Sequence, residues 1–397
     1  MLRRGTGTRS VTQWKPASAL VTGVCAATFL AACSSSSSTT GAATAAASSA
    51  GSTSSSSSGG ACTTKVAALV AQHIAARSQD WYPPAQTNPP SVAGKTYWMI
   101  TLNSAVPTIA TFAAGFKTAA ATLGAKVVVF DGKGSPTVWS QGVEAAIAAH
   151  ASGIVLSVVT ASAIAPALAQ AGAAHIPVIN TESGAPYPPF LPGAVASVSQ
   201  DGVILGSWLA DAALDSTHCN LHAIFPLTPD AQISNQIFAS TQAETKKLCP
   251  ACTVTAMDIN SPDIPTKLTP DLENDIRTNP GTNLIIDTTS FLDPFTEAAI
   301  KALGQHIPIA NTSSIADEAG EGTTPVVTSV VYPPSIVHGW FYMDTFLRLA
   351  AGKTNVSEVY PLALITSANR SATDPTDYAS NSPFNGYQAK FAQLWGK

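Results

Sequence analysis

The most reactive side chains of the sequence crowd into one stretch: His218, Cys219, His222, Cys249 and Cys252. Cys249-Pro-Ala-Cys252 has the spacing shared by thiol redox pairs and zinc ligands, and the histidines would complete a metal set. A strand running on from Leu221 would put His218 and His222 about 13 Å apart, too far to share one ion. No metal site is expected there. Cys62 brings the cysteines beyond position 61 to four. An even number suits structural disulfides in an oxidising compartment, with three connectivities open. Cys219 with Cys249 or Cys252 is a natural pair, because these residues flank the starts of two successive strands. Elsewhere there is no Gly-x-Ser-x-Gly elbow, no glycine-rich phosphate loop with lysine and no His-Glu-x-x-His. The seven histidines are scattered without a matching nucleophile. Neither catalysis nor a cofactor is expected.

The remaining chemistry is polar and lies at the ends of short β-rich runs, so the elements must be read first. From Lys95 the chain alternates strands and helices. Strands are expected at Tyr97–Leu102, Val127–Phe130, Gly153–Val159 and Ile176–Ile179. Val127–Phe130 is a continuous apolar run, as in a strand buried on both faces. Pro107 opens a helix that carries Ile109, Phe112, Phe116, Ala119 and Leu123 on one face, and Gly124 closes it. Further helices are expected over Val143–Ala149 and Ile164–Ala171.

The alternation then restarts. Strands are expected at Ala223–Phe225, Thr253–Met257, Leu284–Ile286 and Ile307–Ala310. Helices are expected at Gln232–Lys247, Asp271–Thr278 and Phe295–Leu303. His175-Ile176-Pro177-Val178-Ile179-Asn180-Thr181-Glu182-Ser183 rhymes with His306-Ile307-Pro308-Ile309-Ala310-Asn311-Thr312-Ser313-Ser314. The expected fold is α/β: two doubly wound, Rossmann-like lobes with parallel sheets.

The N-terminus carries a different message. Arg3, Arg4, Arg9 and Lys15 precede a mostly small or apolar run, Ala17–Ala32, too short to span a bilayer comfortably. Leu30-Ala31-Ala32-Cys33 resembles the bacterial lipobox, in which the cysteine is lipidated. Residues 34–61 are almost all Ser, Thr, Ala and Gly. Such a tract buries too little apolar surface to offset ordering and reads as a flexible tether, reaching on the order of 30 Å. The chain of 397 residues has a net charge of −4, and the signal removes four basic residues. A mildly acidic body without a basic run argues against nucleic-acid binding.

The body resembles a type I periplasmic binding protein, the solute receptor of an ABC importer, and most closely the sugar-binding branch. The resemblance rests on "VVVFDGKGS", "SQGVEAAIAAHASGIVLSVV", "IPVINTES", "VSQDGVILGSWLADAAL", "DPFTEAAIKALGQHIPIANTSS" and "VVTSVVYPPSIVHGWFYMDTFLRLAAGK", in that order. It implies a three-stranded hinge, closure of the lobes on a small neutral solute, sugar or polyol first, and permease and ATPase partners. A sensor for a membrane receptor is the alternative. Residues 1–32 would be the signal, 33–61 the tether and 62–94 an extension. Residues 95–200 with 332–360 would form one lobe, and 201–331 with 361–397 the other. An exported monomer, lipid-anchored outside the cytoplasmic membrane, is expected.

The carboxyl ends of strands in open α/β sheets face the binding crevice. The candidates there are Asn103, Ser104, Asp131, Thr160, Glu182 and Ser183 in the first lobe. Asp230, Thr288, Phe291, Asn311 and Ser313 follow in the second, with Tyr332 near the return crossing. By resemblance Glu182 takes sugar hydroxyls, and Asp201 is either the crossover acid or a helix cap. The arginine of relatives is replaced in the region Ser234-Asn235-Gln236, an aspartate by Ser313, and paired aromatics by Thr108 and Ile109. Two terminal helices, Thr63–Arg77 and Tyr387–Trp395, are expected to pack on the body.

Overall fold

Two six-stranded sheets carry the chain, each with helices on its faces. The computed structural model describes residues 57–75, 82–314, 326–366, 369 and 384–397. The signal, Cys33 and the tether up to residue 56 lie outside them.

The first sheet is built from β1 (Thr96–Thr101), β2 (Lys126–Asp131), β3 (Gly153–Ser157), β4 (Val178–Thr181) and β5 (Ala196–Ser199). Helices α2 (Pro107–Thr122), α3 (Pro136–Ala148) and α4 (Ala165–Ala173) connect the first four. The chain then crosses to a second lobe through α5 (Gly202–Ser216) and repeats the plan. That lobe holds β6 (His222–Leu227), β7 (Thr253–Asp258), β8 (Leu284–Asp287), β9 (Ile309–Ser314) and β10 (Val326–Tyr332). Its connecting helices are α6 (Gln232–Leu248), α7 (Ile264–Thr278) and α8 (Asp293–Ala302). Helix α9 (Ser335–Ala350) and strand β11 (Val356–Val359) return to the first lobe, and β12 (Ala363–Thr366) returns to the second.

The orders are β11-β5-β4-β3-β1-β2 and β12-β10-β9-β8-β6-β7. The rhyming segments thus become β4 and β9, which hold the same place in their sheets. The pairings are parallel except β10 with β12. Val127–Phe130 departs from expectation. It lies in β2, the edge strand, where Val128 is exposed and the rest of the run is only half-buried. An apolar run alone does not distinguish an edge from a centre. Helix α7 starts at Ile264, not Asp271, and runs through Pro270. Its buried stripe Ile264, Leu268, Leu272 and Ile276 outweighs one missing hydrogen bond.

Each lobe also has one intimate helix pair at glycines. A Cβ on Gly115 of α2 would lie 1.9 Å from the Ile336 carbonyl oxygen, and one on Gly339 of α9 would lie 2.0 Å from the Phe116 nitrogen. In the other lobe a Cβ on Gly206 of α5 would lie 2.4 Å from the Ile237 carbonyl oxygen on α6. The two helices that follow crossings, α5 and α9, are therefore seated on the first helix of each lobe.

The terminal helices add a correction. Helix α1 (Ser57–Ala75) begins inside the stretch read as tether and packs on α5 and β12 of the second lobe. The closing helix α10 (Tyr387–Leu394) is not on the second lobe, where the division at residue 361 put it. Phe391 and Trp395 pack on Trp340 of α9, and Trp395 Nε1 donates to Asp344 Oδ1 at 2.7 Å. The cysteine pairing also differs from the natural pair. Cys219 is bonded to Cys62 of α1, and Cys249 closes on Cys252 after α6. Both sulfurs of the second bridge still sit 3.4 Å from the Cys219 carbonyl oxygen, so the four cysteines do share one neighbourhood.

Candidate functional site

Between the strands of the two sheets the chain passes from lobe to lobe at Gln200-Asp201, at Pro333-Pro334 and at Tyr360–Leu362. These crossings underlie a cavity of about 270 Å³ between the carboxyl ends of the two sheets. Gln200 and Tyr332 line it from two of the crossings. Tyr360, on the third, reaches a residue of its floor. A larger recess of about 450 Å³ lies at the outer strand β11, bordered by Tyr82, Pro84, Arg348 and Glu358. Two of its charged residues are engaged with each other: Arg348 Nε donates to Glu358 Oε1 at 2.9 Å, and also to Asp344 Oδ2 at 2.6 Å. No residue of the second sheet lines it, whereas the interlobe cavity is lined from both lobes and is the candidate site.

Two adjacent strands deliver side chains to it through the same backbone device. Val158 after β3 and Glu182 after β4 both adopt left-handed φ, 61° and 56°, and both line the cavity. A β-branched residue in that region is strained, and strain of this kind gathers at binding sites.

Glu182 is buried at the floor. Its Oε1 accepts from Tyr342 OH at 2.9 Å and Tyr360 OH at 2.8 Å, and lies 2.9 Å from His338 Nδ1. Burial, and then the nearby Glu182 charge, push both phenols well above their ordinary range, so they stay O–H donors. The other imidazole nitrogen, Nε2, lies 2.9 Å from the Pro333 carbonyl oxygen, which can only accept. His338 therefore ties the cavity floor to the second crossing. Oε2 of Glu182 has no hydrogen bond among the described residues, and neither does Oε1 of Gln200, which is 7% exposed.

The walls are mostly apolar in surface, with Asn103, Thr108, Thr228, Ser261, Thr288 and Thr289 set among the apolar side chains. Ile109 and Phe112 of α2 face in from the first lobe. Ile233, Pro262, Ile264 and Phe291 face in from the second. Among the described lining residues Glu182 is the one carboxylate, and no lysine or arginine is present.

Of the candidates read from the sequence, Asn103, Glu182, Thr288, Phe291 and Tyr332 line this cavity. The others stand elsewhere. Asp131 Oδ1 accepts from the backbone N–H of Ser104 and Lys133, and the Ser104 bond is the main reason its carboxyl sits below the usual range. Ser104 Oγ bonds Thr101 Oγ1, and Ser183 Oγ accepts from Ala185 N. Asp201 caps α5, accepting from Val203 N and Ile204 N, so of its two readings the cap is the one realised. Thr160 Oγ1 donates across the mouth to the Asp230 carbonyl oxygen at 2.7 Å, while Asp230 Oδ1 accepts from Ser261 N. Asn311 Nδ2 donates to Asp293 Oδ2 at 2.6 Å, and Ser313 Oγ bonds Ser290 Oγ; both residues are fully buried inside the second lobe. Beside them Asp287, also fully buried, bonds Asp293 and Thr296, and burial raises its carboxyl to about 7.

His338, Tyr342, Gln200 and the wall residues Phe112, Ile233, Pro262 and Ile264 are not among the candidates read from the sequence. His338 and Tyr342 carry a usable signal, since four residues apart on a helix they share a face. Among the described residues there is no cluster of three metal-ligating side chains and no helix long and apolar enough to cross a membrane.

Two like-built lobes, crossed three times beneath a shared cavity, define a cleft-binding protein of the two-lobed receptor class. A family model described as a periplasmic binding protein domain matches residues 93–313, more than half of the chain, and the chain belongs to that family. Solved structures agree on the fold. The chain is similar to an allitol-bound ABC transporter solute-binding protein from Agrobacterium vitis (TM-score 0.61, 15% identity, covering 71% of this chain and 98% of that one). It is also similar to a D-arabinose-bound one from Burkholderia graminis C4D1M (0.62, 17%, 71% and 99%). A third is the arabinofuranose-bound component of an arabinose ABC transporter from Shewanella sp. ANA-3 (0.59, 16%, 75% and 98%). A search of curated proteins finds no match.

Proposed function

We propose that the protein is an extracytoplasmic solute receptor that closes its lobes on one small uncharged solute, of the sugar or polyol class, and hands it to an ABC importer. The carrying observation is the cavity over three crossings, floored by a carboxylate whose second oxygen is open. A carboxylate oxygen accepts hydroxyls well, and a hinged cavity converts binding into a change of shape that a membrane partner can read. The relatives named above, with their bound allitol and arabinose, support the same class. Among the described lining residues no nucleophile is placed with a base, and binding is expected without turnover. Lipidation of Cys33 would hold the receptor at the outer face of the membrane as a monomer.

Calorimetric titration with sugars and polyols tests the reading. The expected result is saturable heat with one site and solute recovered unchanged. Solute consumed at a steady rate would replace the receptor with an enzyme.

A further inference from the structure

We propose that the solute has one hydroxylated edge and one apolar face, and carries no net charge. The inference rests on the receptor reading above and narrows what that receptor holds.

The hydroxylated edge follows from the floor. Gln200 Oε1 is an acceptor with no hydrogen bond among the described residues, on a side chain that is 93% buried by its 7% exposure. Glu182, whose Oε2 has no hydrogen bond among the described residues, belongs to the same lining. Two acceptors on lining residues of one cavity call for two donors on the ligand, and a vicinal diol supplies them.

Neutrality follows from proton counting. Pro333 O only accepts, so His338 Nε2 donates to it. Nδ1 faces Glu182 Oε1, and one proton must lie between them. If the proton is on the ring, an imidazolium faces a carboxylate. If it is on the acid, both are neutral. The pair has zero net charge in either form. No other lining group among the described residues adds a charge near neutral pH. An ionic solute would be taken out of water with nothing to balance it.

The apolar face follows from the walls. Ile109 and Phe112 stand on one side, with Ile233, Pro262, Ile264 and Phe291 on the other. Several hydroxyls in the lining already serve neighbouring backbone: Ser234 Oγ accepts from Thr228 N, and Thr312 Oγ1 donates to Thr288 O. A free pentose or hexose has a hydroxyl at nearly every carbon. Those turned toward Ile109, Phe112, Ile233, Pro262, Ile264 and Phe291 would lose water to side chains that offer no hydrogen bond, whereas a ring face of C–H groups loses nothing there.

The test titrates the full mature chain with 1-phenyl-1,2-ethanediol and cis-1,2-cyclohexanediol, against D-arabinose, allitol and D-glucose. Mandelate and 2-amino-1-phenylethanol are the charged analogues. The inference expects a diol with an apolar body to bind at least tenfold tighter than the free sugars and the charged analogues. Gln200→Leu should weaken that diol at least tenfold, and Gln200→Glu, which keeps an acceptor, should weaken it less. Tighter binding of arabinose, allitol or glucose overturns the apolar face and leaves the receptor standing. Tighter binding of a charged analogue overturns neutrality. If none of these solutes binds, the inference fails together with the sugar-or-polyol reading.

Discussion

Two phenol donors and His338 Nδ1 converge on a single oxygen of Glu182, and this changes what its mutation measures. On sequence grounds Glu182→Ala would remove one ligand hydrogen bond, about 1.5–3 kcal/mol of affinity. In the structure it also strands Tyr342 OH, Tyr360 OH and His338 Nδ1, all fully buried. Removing one partner of a buried, hydrogen-bonded set costs about 3–5 kcal/mol of stability. Glu182→Ala is therefore expected to lose stability of that size in urea unfolding, with or without solute. A variant as stable as the parent would mean that the three groups find other partners, and that Glu182 does not organise the floor. Gln200 is the cleaner probe of ligand contact, because no described protein group depends on its Oε1.

At the scale of elements, β8 and α8 enclose the second acidic feature, Asp287 with Asp293. Burial raises Asp287 to about 7 from 3.8. The folded state therefore holds a proton that the unfolded state releases above pH 3.8. Its contribution is fully present below the unfolded value and is lost as pH rises through the folded one. Unfolding temperature should fall as pH goes from 5.5 to 8, and Asp287→Asn should flatten that fall. An unchanged pH profile in the variant would remove Asp287 as its source. These elements were legible in the sequence where a pattern is local. The helix from Pro107, the rhyme that became β4 and β9, and the strand ends that carry Glu182 and Thr288 all follow from periodicity and repetition. Features set by long-range contact were not. Whether Val127–Phe130 is an edge depends on what pairs beside it, and Glu182 meets Tyr360 across 178 residues of sequence. Strand-end position also could not separate residues that face the cavity from those, such as Asn311 and Asp131, that turn inward or cap loops.

On the receptor reading proposed above, the two lobes part for a solute to enter, and the outer contacts are divided between them. Helix α1 is fixed to the second lobe by Cys62–Cys219 and by His73, which stacks on Trp208 and lies 2.8 Å from Asp211 Oδ2. Helix α10 is fixed to the first lobe. Each terminal helix is thus anchored on one lobe. At the mouth Thr160 Oγ1 of the first lobe reaches the Asp230 carbonyl oxygen of the second. This bond exists while the lobes are together and breaks when they separate, so it should slow release and leave encounter untouched. A neutral hydrogen bond of this kind contributes about 0.5–1.5 kcal/mol. Thr160→Val keeps the side-chain shape and removes the donor. Release of bound solute, followed by stopped-flow fluorescence, should then be about two- to tenfold faster, since each 1.4 kcal/mol is a factor of ten. The association rate should not change, because the contact forms only after the solute is between the lobes. Slower association with unchanged release would mean that Thr160 meets the solute on entry, and closure would have to be held by other contacts.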